Sequence, residues 1–151
     1  RVIHAPPEQV FQAWTDPGQL AQWWGPKRFT NPACELDVRP EGAIRIDMRA
    51  PEGKVYPIAG VYREIVEPAR LAFTGVGLDA EGKPLFEVLV DANFLERGNA
   101  TILRVQTNVI RTTLAAAPFL RGMLIGWAQS LERLDAFLLR GEKRHSEARR
   151  H

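Results

Sequence analysis

Between Phe119 and Leu139 the apolar residues Leu120, Met123, Leu124, Trp127, Leu131, Leu134 and Leu138 recur at three- and four-residue spacing, which places them along one face of a helix. Pro118 marks the start of that helix and Gly141 its end. A helix of this length spans about 30 Å, enough to cross the concave side of a twisted sheet. Gly122, Gly126 and Ser130 fall four apart on the flank of the apolar face, so a sheet or a ligand can approach the backbone closely there. Upstream the pattern changes from helical to alternating. Ile44, Ile46 and Met48 against Arg45, Asp47 and Arg49 is the clearest case of a strand with one buried face.

Turn signals divide this upstream region: Arg39-Pro40-Glu41-Gly42, Pro51-Glu52-Gly53-Lys54, Glu67-Pro68-Ala69-Arg70, Asp79 to Pro84, and Glu96-Arg97-Gly98-Asn99. Between them lie strands predicted at Ala33 to Val38, Ala43 to Ala50, Val55 to Val66, Leu71 to Gly77, Leu85 to Leu95 and Ala100 to Ile110. Val2 and Ile3 add the remnant of a first strand, and the short turns imply an antiparallel meander. Two short helices interrupt the order after that first strand. One starts at Pro6-Pro7, carries Val10, Phe11 and Trp14 on one face and ends near Thr15. The other has Asp16 as N-cap, Pro17 at its first position and Gln19 completing a capping box; Gly25-Pro26 stops it after Trp23 and Trp24. The expected fold class is α+β, a curved antiparallel sheet of about seven strands wrapped around a long C-terminal helix.

Composition narrows the function. A chain of 151 residues with 45% hydrophobic content fits one domain with an ample core, assigned to residues 1–141, followed by a charged tail at 142–151. No apolar run reaches the length of a membrane span and no basic-then-apolar leader opens the chain, so a cytoplasmic setting is the default expectation. The chain begins at Arg1, directly in a strand, and native residues are expected to precede it. The lone Cys34 forms no intramolecular disulfide and reads as a small buried hydrophobe. A net charge of +2, with much of the excess in the tail at Arg140, Lys143, Arg144, Arg149 and Arg150, gives no nucleic-acid footprint.

Catalytic motifs are scarce. His4, His145 and His151 lack metal-ligand spacing, and no nucleophile elbow or phosphate-binding glycine loop is present, so neither a metal nor a cofactor is expected. Glu64 falls on one strand face with Tyr62 and Val66, while Asp91 and Asn93 share a face of a later strand. Such a carboxylate serves as an acid or base if it points into a cavity, and is an ordinary surface group if it faces solvent.

The segments Val2 to Pro17, Trp23-Trp24-Gly25-Pro26, Gly60 to Leu71 and Gly126 to Leu134, in this order of elements, resemble the helix-grip fold of the START-like, or SRPBCC, superfamily. Within it they are most similar to the branch related to the C-terminal domain of the activator of heat-shock-protein-90 ATPase, in its small stand-alone bacterial form. The resemblance implies a cavity between sheet and long helix that holds an apolar or amphipathic small molecule. It implies no single activity, because the superfamily includes lipid carriers, hormone receptors, cyclases and hydrolase-like enzymes. The 151 residues leave no room for the separate N-terminal domain of the eukaryotic co-chaperones, so a chaperone partner is the weakest of the expected associations.

On that basis the ligand-binding candidates are Trp23, Trp24, Met123 and Trp127, with Met48, Tyr62, Phe73 and Phe94 lining or flooring the cavity from the sheet. The alternative for any of these aromatics is plain core. The leading function is binding of a small hydrophobic or aromatic molecule; a cyclase- or hydrolase-like enzyme using a cavity carboxylate or Tyr62 is the alternative, and a stress-linked co-chaperone the third reading. The apolar lip from Leu114 to Leu120 is expected to gate the cavity or to join a two-fold contact that makes a homodimer.

Overall fold

The computed structural model describes the backbone of residues 1–149 and the side chains of residues 1–141 other than Leu124. The charged tail at 142–151, with His145 and His151, therefore lies outside the described side chains. Strand β1 (Val2–Ile3) leads into helices α1 (Pro7–Thr15) and α2 (Pro17–Trp23). Strands β2 (Thr30–Leu36), β3 (Ala43–Arg49), β4 (Val55–Val66), β5 (Arg70–Leu78), β6 (Pro84–Arg97) and β7 (Ala100–Thr112) follow; a 3-10 turn (Leu114–Ala116) then enters α3 (Ala117–Arg149). All seven strands join one antiparallel sheet in the order β1-β7-β6-β5-β4-β3-β2. The meander and the two-helix interruption agree with the sequence pattern, because each hairpin turn joins strands that are neighbours in the sheet.

Asp16 makes the corner between the first two helices. Its N–H donates to Gln12 O (2.9 Å), closing α1, and its carboxylate Oδ1 accepts from Gly18 N (2.9 Å), opening α2. These helices bury Val10, Phe11, Trp14, Leu20 and Trp23 against one end of the concave sheet face. The C-terminal half of α3 covers the same end through Leu131, Leu134 and Leu138. Asp135, on this half of α3, accepts the His4 N–H (2.8 Å) and lies 3.0 Å from His4 Nδ1, which ties the helix to the end of β1.

Two expectations need correction. The helix does not stop at Gly141 but continues to Arg149. A glycine inside a helix costs only about 1 kcal/mol relative to alanine, and its neighbours Leu139, Arg140, Glu142 and Lys143 are all good helix formers. The second concerns β4. Strict alternation puts Tyr62 and Glu64 on one face, yet a β-bulge separates them: Tyr62 pairs with Phe73 and Glu64 with Ala72. The extra residue switches the alternation, so Tyr62 is buried and Glu64 is exposed. Gly60 permits the close approach of β4 and β5 beside this bulge, since a Cβ there would sit 1.9 Å from Thr74 O.

A candidate ligand cleft beneath the long helix

The concave face is filled at one end and open at the other. Where α1, α2 and the second half of α3 converge, Trp14 is the hub of an aromatic cluster, with ring centroids 5.0 Å from Trp23, 5.8 Å from Phe94 and 5.8 Å from Trp127. The first half of α3, from Pro118 to Ser130, instead stands off the sheet. Beneath it runs a half-open cleft of about 360 Å³.

Small residues on both walls create that space. On α3 they are Gly122, Gly126 and Ser130; a Cβ added at Gly122 meets nothing within 4 Å, and one at Gly126 meets only Pro26 Cγ at 3.7 Å. Along β5 the inward positions read Phe73, Gly75, Gly77, so this strand contributes no side chain of its own to the floor beyond Phe73. Phe86, paired across from Gly77, lies where a Cβ of Gly77 would be and roofs that part of the floor. Ile44, Ile46, Met48, Val88 and Val90 complete the sheet wall.

The remaining wall is the loop from Trp24 to Phe29, which contributes Trp24, Gly25, Pro26 and Phe29 to the cleft. Arg133 of α3 fastens this loop. Its Nη1 donates to Trp24 O (3.0 Å), Gly25 O (3.0 Å) and Pro26 O (2.9 Å), and its Nη2 to Phe29 O (3.1 Å) and Gln22 O (3.4 Å). Gln129 Oε1 accepts the Lys27 N–H (3.1 Å) alongside. Gly25, at φ 92°, makes the turn that lets successive carbonyls converge on one guanidinium.

Of the residues predicted to bind ligand, Trp24, Met48, Phe73, Met123 and Trp127 line this cleft together. Trp23, Tyr62 and Phe94 do not. Trp23 is 0% exposed and its Nε1 donates to Ala13 O (3.0 Å), so it belongs to the core. Phe94 packs edge-on to Phe11 (5.5 Å) and Trp14 in the same core. Tyr62 borders a separate void of about 10 Å³, room for about one water molecule, and burial, with Cys34 nearby, pushes its phenol pKa well up. Sequence reasoning missed Phe29, Tyr56, Phe86 and the glycine pair of β5. Phe73-x-Gly75-x-Gly77 was the available signal, because glycines two apart in a strand leave one face bare.

The carboxylates considered for catalysis lie elsewhere. Arg70 holds Asp91 through two hydrogen bonds (3.1 and 2.7 Å), and its Nη1 also donates to Glu64. The Arg70 hydrogen bonds, reinforced by one from Asn93, hold the Asp91 carboxyl below its ordinary value of 3.8. The sign is therefore that of a depressed acid: the stabilisation is complete above that value and is lost as pH falls through the lowered one. The difference in urea midpoint between the parent and Arg70→Met should be present at neutral pH and shrink once pH drops below about 3.8; a difference that stays constant down to acid would show that Asp91 is not its source.

Among the described residues no group of three or more His, Cys, Asp or Glu side chains is placed to hold a metal ion, and no helix is long and apolar enough to cross a membrane. The apolar lip divides. Pro118 and Phe119 line the cleft, whereas Leu114 is 98% exposed.

A seven-stranded antiparallel sheet gripping a C-terminal helix, with an apolar cleft between them, defines a helix-grip protein. The chain belongs to the family of Activator of Hsp90 ATPase homolog 1-like proteins, whose profile matches residues 4–138. Solved structures agree. A Chromobacterium violaceum protein is 31% identical over 90% of this chain and 91% of its own, with a TM-score of 0.77. The AHSA1 protein of Silicibacter pomeroyi is 28% identical over 92% of this chain and 94% of its own, with a TM-score of 0.76. An Arthrobacter aurescens protein, 23% identical over 93% of this chain and 83% of its own, shares the fold with a TM-score of 0.81. No functionally curated protein matches the chain.

Proposed function

We propose that this protein binds a small hydrophobic or aromatic molecule in the cleft between α3 and the sheet, and acts as a carrier or receptor rather than as a catalyst. One observation carries the reading: Gly122 and Gly126 of α3 face an apolar volume of about 360 Å³, within the range of small-molecule sites. A merely well-packed core has few voids larger than a water molecule. Titration of the full chain with N-phenyl-1-naphthylamine, a neutral dye that fluoresces in apolar surroundings, should give saturable enhancement with one site per chain. Absence of binding would overturn the proposal.

The enzyme reading has less to draw on. No carboxylate, imidazole, thiol or amine lines the cleft among the described residues, and the candidates Glu64, Asp91 and Tyr62 all lie outside it. Co-chaperone action, which the family's name brings to mind, would use the outer surface, and nothing in the cleft supports it. A cytoplasmic setting is part of the proposal and fits the half-buried Cys34, whose thiol pKa is pushed up to about 11, first by burial and then by Asp16, and so stays protonated and slow to oxidise. Exposed Leu114 remains the point at which a two-fold contact would form, readable by light scattering at high concentration.

A further inference from the structure

We infer that the cleft selects uncharged aromatic molecules of about two rings and rejects anions of the same shape, an inference that rests on the ligand-binding reading above. The size follows from volume. A cavity of about 150 Å³ accommodates benzene, and this cleft has about 360 Å³. Flat walls favour aromatic guests, because Trp24, Phe73, Phe86 and Trp127 all present rings to the space.

Charge selection follows from what the walls lack. Among the described residues no charged side chain lines the cleft; the hydroxyls of Tyr56, Thr74 and Ser130 and the indoles of Trp24 and Trp127 are its polar side-chain groups. Thr74 Oγ1 accepts the Val61 N–H (3.1 Å), so its single O–H is what it has left to offer a ligand. The cation tied to the cleft wall is Arg133. Its two terminal nitrogens carry four N–H groups, and these are directed at five backbone carbonyls. Fastening the loop and pairing with a ligand carboxylate in the two-pronged manner are therefore exclusive uses of these terminal nitrogens. An anion inside the cleft would lose its hydration and gain no cationic partner, only neutral donors, which strongly disfavours burial of a charge.

Cations at the rim do not change this. Lys54 Nζ lies 5.1 Å from the Tyr56 ring centroid, and Lys27 and Arg28 belong to the loop itself, but all three are exposed, solvated and screened by salt. They attract an anion to the mouth without replacing the hydration it loses inside.

The test uses a matched pair of probes. N-phenyl-1-naphthylamine is neutral, and 8-anilinonaphthalene-1-sulfonate adds one sulfonate to the same ring system. Both are titrated into the full chain by fluorescence at low and at high salt, with naphthalene and 2-naphthoate, which absorb at shorter wavelength, as competitors against the neutral dye. The neutral dye should bind at least about tenfold tighter at both salt concentrations, and naphthalene should compete better than 2-naphthoate. Equal or tighter binding of the sulfonate would overturn the inference and leave the ligand-binding reading standing; if that binding disappeared at high salt, the rim cations would be its source. Failure of both dyes to bind would overturn the ligand-binding reading and this inference with it.

Discussion

Replacing Trp23 with alanine should cost about 3–5 kcal/mol of stability, whereas the same change at Trp127 should cost far less and instead weaken dye binding. The two residues look alike in sequence, each a tryptophan on an apolar helix face. Their surroundings differ. Trp23 is fully buried, its indole N–H is satisfied by Ala13 O, and its ring packs 5.0 Å from that of Trp14, so truncation leaves a sealed cavity and an unpartnered carbonyl. Trp127 stacks on Trp14 at 5.8 Å with one side and faces the cleft with the other. Truncation there enlarges a space that is already open and removes one aromatic wall from a ligand. Urea denaturation of both variants, read beside titration with N-phenyl-1-naphthylamine, separates the two effects; equal losses of stability would show that Trp127 is core like Trp23.

Arg133→Met should destabilise by about 2–3 kcal/mol and lower dye affinity, while Arg133→Lys should retain part of both. Methionine preserves much of the aliphatic stem but gives up every donor that holds Gln22, Trp24, Gly25, Pro26 and Phe29 in place. Hydrogen bonds from a charged donor contribute about 1.5–3 kcal/mol each in favourable cases, but water can reach this half-buried site and replace part of the loss, so the sum is not expected. Four of these five residues, Trp24, Gly25, Pro26 and Phe29, line the cleft, which is why binding should suffer as well as folding. Hydrogen exchange would follow the loop directly: faster exchange confined to residues 24–29 in Arg133→Met is expected, and unchanged exchange there would remove Arg133 as the fastening.

Much of this architecture was legible from residue order. Alternation in β3, turn residues between consecutive strands, and the Asp16-Pro17 helix start each act through local backbone preferences that tertiary packing had no reason to override. The long apolar seam of α3 was equally plain, yet it does two different jobs along its length. Leu131, Leu134 and Leu138 are buried in core, while Met123 and Trp127 line a space. Spacing along a helix reports which face turns inward but not how far away the opposite wall stands, and that wall is built by residues distant in sequence, among them Gly75, Gly77 and Phe86. The same limit explains Trp23 and Trp24. They are neighbours, and only the end of α2 at Trp23 sends one into the core and the other to the cleft wall. At β4 the bulge after Tyr62 left no mark in the alternation of Tyr62, Glu64 and Val66, because an inserted residue is recognised by the partner strand and not by its own.

Gly126→Leu tests the central claim most directly, since an added side chain at this position meets either open cleft or packed sheet. Its Cβ would make one ordinary contact, 3.7 Å from Pro26 Cγ, and the rest of the leucine would extend into the space beneath the helix. Leucine also favours a helix over glycine by about 0.5–1 kcal/mol, which offsets modest crowding. The measurement is chemical denaturation of the variant together with its titration by N-phenyl-1-naphthylamine. Stability within about 1 kcal/mol of the parent and at least about tenfold weaker dye binding are the predicted result. A loss of about 1–3 kcal/mol, the signature of an overpacked core, with no dye bound by the parent protein, would contradict the account.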